Sequence, residues 1–390
     1  MREKIVKILY IRSSVPYYES RVLKEIDALC SDGHSVTFLG LNRRNDLERP
    51  LELDSGKVPV VLIDSKEKRG RISDKLQRVF GFQVSILKYL NKFGKNYDCI
   101  HACDFDCALA AFLYSKYSGT PYVYDIFDYY ADAHCMPKAV DLMVRKADKT
   151  VIENAKSVII CTEKRREQLG NAKARKVTVV YNTPDAAGFD FSKSDIVKCD
   201  GTLKVAYIGA LTNERFIREI IDVIKDRPWI SLYLGGAGDE MIVQYAQQIS
   251  GRCDRIHFLG RQIYTNVLAI ENACDVLIAM YNPAIRNHVF AAPNKFYEAV
   301  MLGKPIIMAK NTGLDDLVEK YGIGIVVPYS TDGLSDGLEK LNSQRATFPA
   351  LENKMKDLYV NEFSWASSKQ RLLSLYREDT NAVNPRRTEI

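Results

Sequence analysis

The sequence predicts an α/β protein of two consecutive doubly wound, Rossmann-like domains facing a central cleft. Three observations carry that expectation. Short apolar runs alternate with amphipathic stretches of helical period, the pattern of a mostly parallel sheet covered by helices on both faces. The alternation breaks across residues 182–202, NTPDAAGFDFSKSDIVKCDGT, where Pro, Gly, Ser and Asp gather with little periodicity. Beyond that break the pattern restarts, and 390 residues suit two domains of roughly 100–200 residues each.

Taken in order, the first half offers strands at 5–11 (IVKILYI), 35–40, 58–63 (VPVVLI), 98–102, 121–126 (PYVYDI), 157–162 (SVIICT) and 176–181. Helical segments fall between them at 17–32, 73–93, 106–118, 138–154 and 163–170. The second half offers strands at 203–209 (LKVAYIG), 229–236, 255–260, 275–281, 304–309 and 322–328, with helices near 213–226, 239–250, 264–273, 294–302, 313–320 and 332–342. Ser364 is placed to cap a last helix carrying Trp365, Leu372, Leu373 and Tyr376, and the polar tail after about residue 378 reads as frayed. The expected division is an N-terminal domain over 1–185, a linker over 186–202, a second domain over 203–362, and a C-terminal helix and tail over 363–390 returning to the first domain.

Composition narrows the function classes. Hydrophobic residues make up 46% of the chain and charged ones 27%, an ordinary globular balance. No apolar run reaches the roughly 18–20 residues of a membrane span. The opening MREKIVKILYIRSS is too short in its apolar run for a secretory leader. The nine cysteines form no Cys-x-x-Cys pair and read as small core residues of a reducing cytosol. Residues 1–185 hold 31 Lys and Arg against 24 Asp and Glu, so the positive excess lies in the first half and suits an anionic partner. No recognised nucleic-acid module accompanies it, and no G-x-G-x-x-G follows the first strand as a dinucleotide-dependent dehydrogenase requires. Segment 66–95 is basic and amphipathic; Leu76, Val79, Phe80, Val84, Leu87 and Leu90 alternate with Lys75, Arg78, Lys88 and Lys92. It reads as a patch for an anionic membrane surface, or as a helix packed on the sheet with solvated cations.

The stretch AAPNKFYEAVMLGKPIIMA (291–309) is the most informative. Pro293 and Asn294 precede a short helix that Gly303 ends. A helix N-terminus presents free N–H groups to anions, and Glu298, one turn in, can accept hydrogen bonds from a ribose diol. Alternatively Glu298 only complements the helix dipole.

PNKFYEAVMLGKPII resembles the donor-binding segment of retaining glycosyltransferases of family 4, which have the GT-B fold. The resemblance runs in order through 18–42, 97–111, 152–169, 179–182, 203–224, 234–240, 256–281 and the closing SW…LY helix. It implies transfer of a sugar from a UDP- or GDP-linked donor to a glycan or lipid-linked acceptor, as in surface polysaccharide or glycolipid synthesis. The location it implies is cytoplasmic, or peripheral at the inner membrane face.

Carried over residue by residue, the resemblance gives Gly209 to the approach of the diphosphate and Arg215 to its charge. It places the segment Arg261–Tyr264, with Gln262 and Ile263, near the base, whose edge the backbone groups of Gln262 and Ile263 would read. Glu298 takes the ribose, Asn294 and Lys295 contribute contacts to the transferred sugar or the phosphates, and Phe296 lies beside them. Three family positions differ: Ala210 replaces the usual Arg, Phe290 the first of two glutamates eight apart, and Phe127 a frequent His. Near Phe127, Asp128 is the candidate to stabilise charge on the donor sugar or orient the acceptor, unless Asp125 and Asp128 merely cap a helix. His101 is a site residue or a structural one.

The mechanism implied is retention. The acceptor attacks on the face from which the nucleotide departs, and the leaving diphosphate takes its proton. No metal or other cofactor is expected. Two readings compete: a nucleotide-sugar epimerase, and a non-catalytic GT-B-like binding or scaffold subunit, which the three departures motivate.

Overall fold

Two parallel sheets organise the chain. A computed structural model describes residues 5–42, 46–64, 72–187, 189–191 and 194–377, and the backbone alone at Tyr18 and 72–80. Much of the basic segment 66–95, with Leu76, Val79, Phe80, Lys75 and Arg78, and the tail from 378 therefore lie outside the described side chains. The chain divides into two compact units. One runs to Val180 and includes the chain from Ser368; the other is Tyr181–Ser367.

In the first unit seven strands lie side by side in the order Val60–Asp64, Ser35–Asn42, Lys7–Arg12, Cys99–Cys103, Tyr122–Ile126, Ser157–Ile160 and Val177–Val179. All neighbours are parallel. Helices Ser20–Ser31, Ile72–Phe93, Phe105–Ser118 and Lys138–Asn154 connect them. In the second unit the order is Ile256–Phe258, Ile230–Gly238, Leu203–Leu211, Val276–Ala279, Ile306–Ala309 and Gly324–Val327, again parallel. Both central strands, Lys7–Arg12 and Leu203–Leu211, are flanked on one side by the next strand in sequence and on the other by a later one. Such a switch of winding direction opens a crevice at the strands' carboxyl ends.

Every expected strand but 58–63 has a single counterpart in the two sheets, with ends shifted by a residue or two. VPVVLI is not one strand. Pro59, with no N–H, separates Gly56–Val58 of a small antiparallel hairpin with Leu51–Leu53 from the sheet strand Val60–Asp64. The helix Phe348–Leu358 and the π-helical turn Tyr359–Phe363 are not among the expected elements, although Phe348, Leu351, Met355 and Leu358 recur at helical spacing. The C-terminal helix Trp365–Arg377 begins where expected: Ser364 Oγ accepts from the Ser367 N–H at 3.3 Å.

Burial explains the near-continuous apolar strands. Ile8, Leu9, Tyr10 and Ile11 are fully buried, as are Val205, Ala206, Leu277 and Ile278, because helices cover both sheet faces. All nine cysteines are free thiols; five are buried, while Cys135 and Cys199 are exposed. No described helix is long and apolar enough to cross a membrane.

Candidate functional site

The second unit gathers a cationic crevice at the carboxyl end of its central strand. Gly209 lies near that end, paired with Gly236 of the neighbouring strand. The two backbones approach so closely that a Cβ on Gly236, whose φ is +134°, would stand 1.8 Å from the Gly209 carbonyl oxygen. Only glycine fits there. On its other side Gly209 faces Lys295: a Cβ on Gly209 would meet the Lys295 ammonium at 3.2 Å.

Lys295 belongs to the helix Asn294–Leu302, which Pro293 opens and Gly303, at φ +69°, closes. Its ammonium donates to the Ile208 carbonyl and lies 4.7 Å from the centre of the Tyr207 ring. The Phe296 N–H bonds back to Pro293 at 3.0 Å, so the amides of Asn294 and Lys295 form the helix's open end. Asn294 is tied down by Asn182, whose amide donates to its side-chain oxygen. Phe296 is fully buried, packed edge-on against Tyr297 and Phe363. Its side chain belongs to the core.

Arg215 ends a short turn, Asn213–Arg215, after the central strand. Its guanidinium carbon sits 3.5 Å from the centre of the Tyr281 ring. Its Nη1 is buried without a hydrogen-bond partner among the described residues. Burial, the electrostatics of neighbouring Tyr281 and the opposing pull of Arg215 leave the Tyr207 phenol well above its ordinary range. That coupling places Tyr207, Tyr281 and Arg215 together, with Lys295 over the Tyr207 ring. Ala210 is exposed beside them. Sequence reasoning missed Tyr207 and Tyr281, because a ring that orients a cation across the fold leaves no spacing signature.

Glu298 is nearly buried, on the inner face of the same helix. The Tyr264 phenol and the Glu271 carboxyl both lie against it, close enough for its charge to act on them. Desolvation, then the charge of Glu298, drives the Tyr264 phenol up; the same two causes in the same order raise the Glu271 carboxyl, opposed by Lys295. Arg261 and Ile263 are exposed on the loop before the helix Tyr264–Ala273. Gln262 turns back: its amide donates to the Leu259 carbonyl at 2.6 Å and its oxygen accepts from Asn266 at 3.4 Å.

In the first unit the strand ends carry a different cluster. Asp128 is half-exposed and held by Arg165, whose Nη2 donates to it at 2.8 Å. Asp104, at φ +59°, accepts from Arg12 and from the amides of Phe127 and Asp128. Burial outweighs Arg12 and pushes its carboxyl up to about 6. Phe127 lies between two guanidiniums, with Arg12 at 4.2 Å and Arg21 at 4.4 Å from the ring centre. An aromatic face there serves the cations on both sides.

Below this lies a buried charged network. Arg21 Nη2 donates to both Asp125 oxygens at 2.9 and 3.1 Å, and its Nε lies 2.9 Å from Glu25. The Tyr10 hydroxyl donates to Glu25 at 2.7 Å, and His101 meets the Tyr376 hydroxyl at 2.6 Å and Asp125 at 3.4 Å. Asp125 is thus an ion-pair partner and no helix cap, and His101 is fully buried within the network. His101, Cys103 and Asp125 offer ligand atoms within 4.8 Å of one another. The Arg21 guanidinium already holds both Asp125 oxygens, which opposes a cation at that spot.

Comparison with known proteins places these features. The model "Glycosyl transferases group 1" matches residues 202–344, and "Glycosyl transferase 4-like domain" matches 18–183. No curated protein matches by sequence. Among solved structures, sucrose-phosphate synthase from Thermosynechococcus elongatus is similar over 95% of this chain and 98% of its own, with TM-score 0.75 and 16% identity. Anabaena HepE in complex with UDP-glucose is similar over 95% of this chain and 99% of its own, with TM-score 0.67 and 18% identity. An E. coli structure, trehalose-6-phosphate bound with UDP-2-fluoro glucose, is similar over 95% of this chain and 99% of its own, with TM-score 0.71 and 10% identity. With two family models covering most of its length in the order the fold requires, the chain belongs to the group 1 glycosyltransferases of GT-B fold.

Proposed function

We propose that the chain transfers a hexose from a nucleoside-diphosphate sugar to a hydroxyl of a glycan or lipid-linked acceptor, with retention of configuration. The observation that carries this reading is the strand end at Gly209. Its backbone, bare of a side chain, faces Lys295 at the start of the helix Asn294–Leu302, and Arg215, stacked on Tyr281, follows the same strand. That is the chemistry of a diphosphate cradle. Glu298 lies one turn into the same helix and would take the ribose hydroxyls. The loop Arg261–Tyr264 would face the base. Relatives in fold were captured with UDP or UDP-glucose, which makes UDP the first nucleotide to test.

In this reading the donor's glycosidic C–O bond breaks as negative charge grows on the diphosphate. Arg215, Lys295 and the amides of Asn294 and Lys295 stabilise that charge. The acceptor hydroxyl attacks from the same face and passes its proton to the departing phosphate oxygen. No protein base is required, which suits Phe127 in the position where the family often has His. Asp128, held by Arg165, would orient the acceptor. No metal or organic cofactor enters this scheme. A role in surface polysaccharide or glycolipid synthesis, at the cytoplasmic face of a membrane, fits the basic balance of residues 1–185.

The test is release of nucleoside diphosphate from a panel of UDP- and GDP-sugars with and without glycan and polyprenyl-phosphate acceptors. Acceptor-dependent release, with an α-linked product from an α-linked donor, is expected. Sugar conversion without acceptor would identify an epimerase. Binding with no turnover would identify a scaffold.

A further inference from the structure

Glu271 is a buried acid that the scheme above does not use. It lies in the last turn of the helix Tyr264–Ala273, fully buried, and neither of its carboxyl oxygens has a donor among the described hydrogen bonds. Its neighbour is a second buried carboxyl, Glu298, with which it is in side-chain contact. The one cation near it, Lys295, stands 3.9 Å from Oε1 and spends a hydrogen bond on the Ile208 carbonyl. The other titratable groups around the pair are Tyr264, on the same helix and against Glu298, then Cys274, with Tyr359 against Tyr264. Two ionised carboxylates in contact inside a core, with one ammonium beyond hydrogen-bond distance, leave a charge uncompensated. One proton between them removes that charge and turns the contact into a hydrogen bond.

We propose that Glu271 is a positioning residue for Glu298: it carries the pair's proton, donates it as a hydrogen bond to the Glu298 carboxylate, and so fixes that carboxylate for the ribose of the donor. The inference rests on the donor-site reading above. Burial raises the Glu271 carboxyl and Glu298 adds to the rise, so Glu271 is the member of the pair that holds the proton. Where that proton is lost the two carboxylates repel, and donor affinity falls. Glutamine at 271 is a permanent donor of similar shape, whereas alanine removes the bond.

The experiment is calorimetric titration of UDP into the full chain, Glu271→Gln and Glu271→Ala, between about pH 6 and pH 9. Titration of the nucleotide itself is common to all three and cancels on comparison. The expected result is an affinity of the unaltered chain that falls about tenfold or more toward the alkaline end. Glu271→Gln should stay within about threefold of the unaltered chain at pH 6 and lose that fall, while Glu271→Ala binds about tenfold more weakly at pH 6. Circular dichroism verifies that each variant is folded. An unchanged alkaline fall in Glu271→Gln, or unaltered binding by folded Glu271→Ala, would overturn the proposal. If the unaltered chain binds neither UDP nor GDP at any pH, it is the donor-site reading that fails.

Discussion

Removing the guanidinium of Arg215 separates phosphate recognition from the rest of nucleotide binding. Stacking orients the side chain: its guanidinium carbon lies 3.5 Å from the centre of the Tyr281 ring, with Nη1 buried and without a hydrogen-bond partner among the described residues. A diphosphate entering beside Gly209 would supply that partner without reordering the arginine. One or two charge-assisted hydrogen bonds of about 1.5–3 kcal/mol give a net loss of about 2–3 kcal/mol in Arg215→Ala, or roughly 30- to 150-fold in UDP affinity. Arg215→Lys retains the charge but not the planar fork that stacks and bonds in two directions, so about half of the loss remains. Calorimetry with UDP and with uridine is the assay. Uridine lacks the phosphates, so its affinity should hold within about twofold in both variants. Equal losses for UDP and uridine would refute the reasoning, because Arg215 would then act on the base or on the fold. An unchanged UDP affinity would refute it as well.

Three further outcomes concern stability. Asp125→Ala leaves the Arg21 guanidinium buried without the carboxylate that accepts from it at 2.9 and 3.1 Å; urea unfolding should show a loss of about 3–5 kcal/mol. Gly236→Ala places a methyl 1.8 Å from the Gly209 carbonyl at a φ of +134° and should cost roughly 2–4 kcal/mol. Gly251→Ala, at an ordinary φ of −73°, is the control and should change the midpoint little. Burial pushes the Asp148 carboxyl up to about 7, with the Tyr124 hydroxyl donating to it at 2.9 Å and its Oδ2 unpartnered. The folded state therefore holds a proton that the unfolded chain has released, and stability falls by about 1.4 kcal/mol per unit as pH rises from about 4 to about 7. Asp148→Asn keeps the acceptor for Tyr124 and should remove that share of the slope, read from denaturation midpoints across the same range.

The parallel sheets were legible because a strand buried on both faces must be apolar throughout, as in LKVAYIG and SVIICT. The break at 182–202 was legible because Pro, Gly and Asp interrupt both periods. Helix Asn294–Leu302 was marked at both ends, by Pro293 and Gly303. Where local rules competed, the sequence reading slipped: Pro59 lies inside an apolar run, and only the missing N–H shows that two strands meet there. Phe348–Leu358 does carry an apolar stripe, Phe348, Leu351, Met355 and Leu358, but charged residues between them and the following π-helical turn mask it. At the proposed site, Gly209, Arg215, Lys295 and Glu298 stand at motif positions, whereas Tyr207, Tyr281 and Glu271 are brought beside them by contacts between distant segments. Phe296 sits within the motif, yet its ring packs in the core.

The most direct test of the donor site is titration of UDP and GDP into the unaltered chain and into Glu298→Ala. Loss of a carboxylate that would accept from a ribose diol removes charged hydrogen bonds of about 1.5–3 kcal/mol, so affinity for the preferred nucleotide should fall about 10- to 150-fold. The account predicts selective binding of one nucleotide by the unaltered chain and that loss in the variant. Binding of neither nucleotide, or equal binding by both proteins, would contradict it.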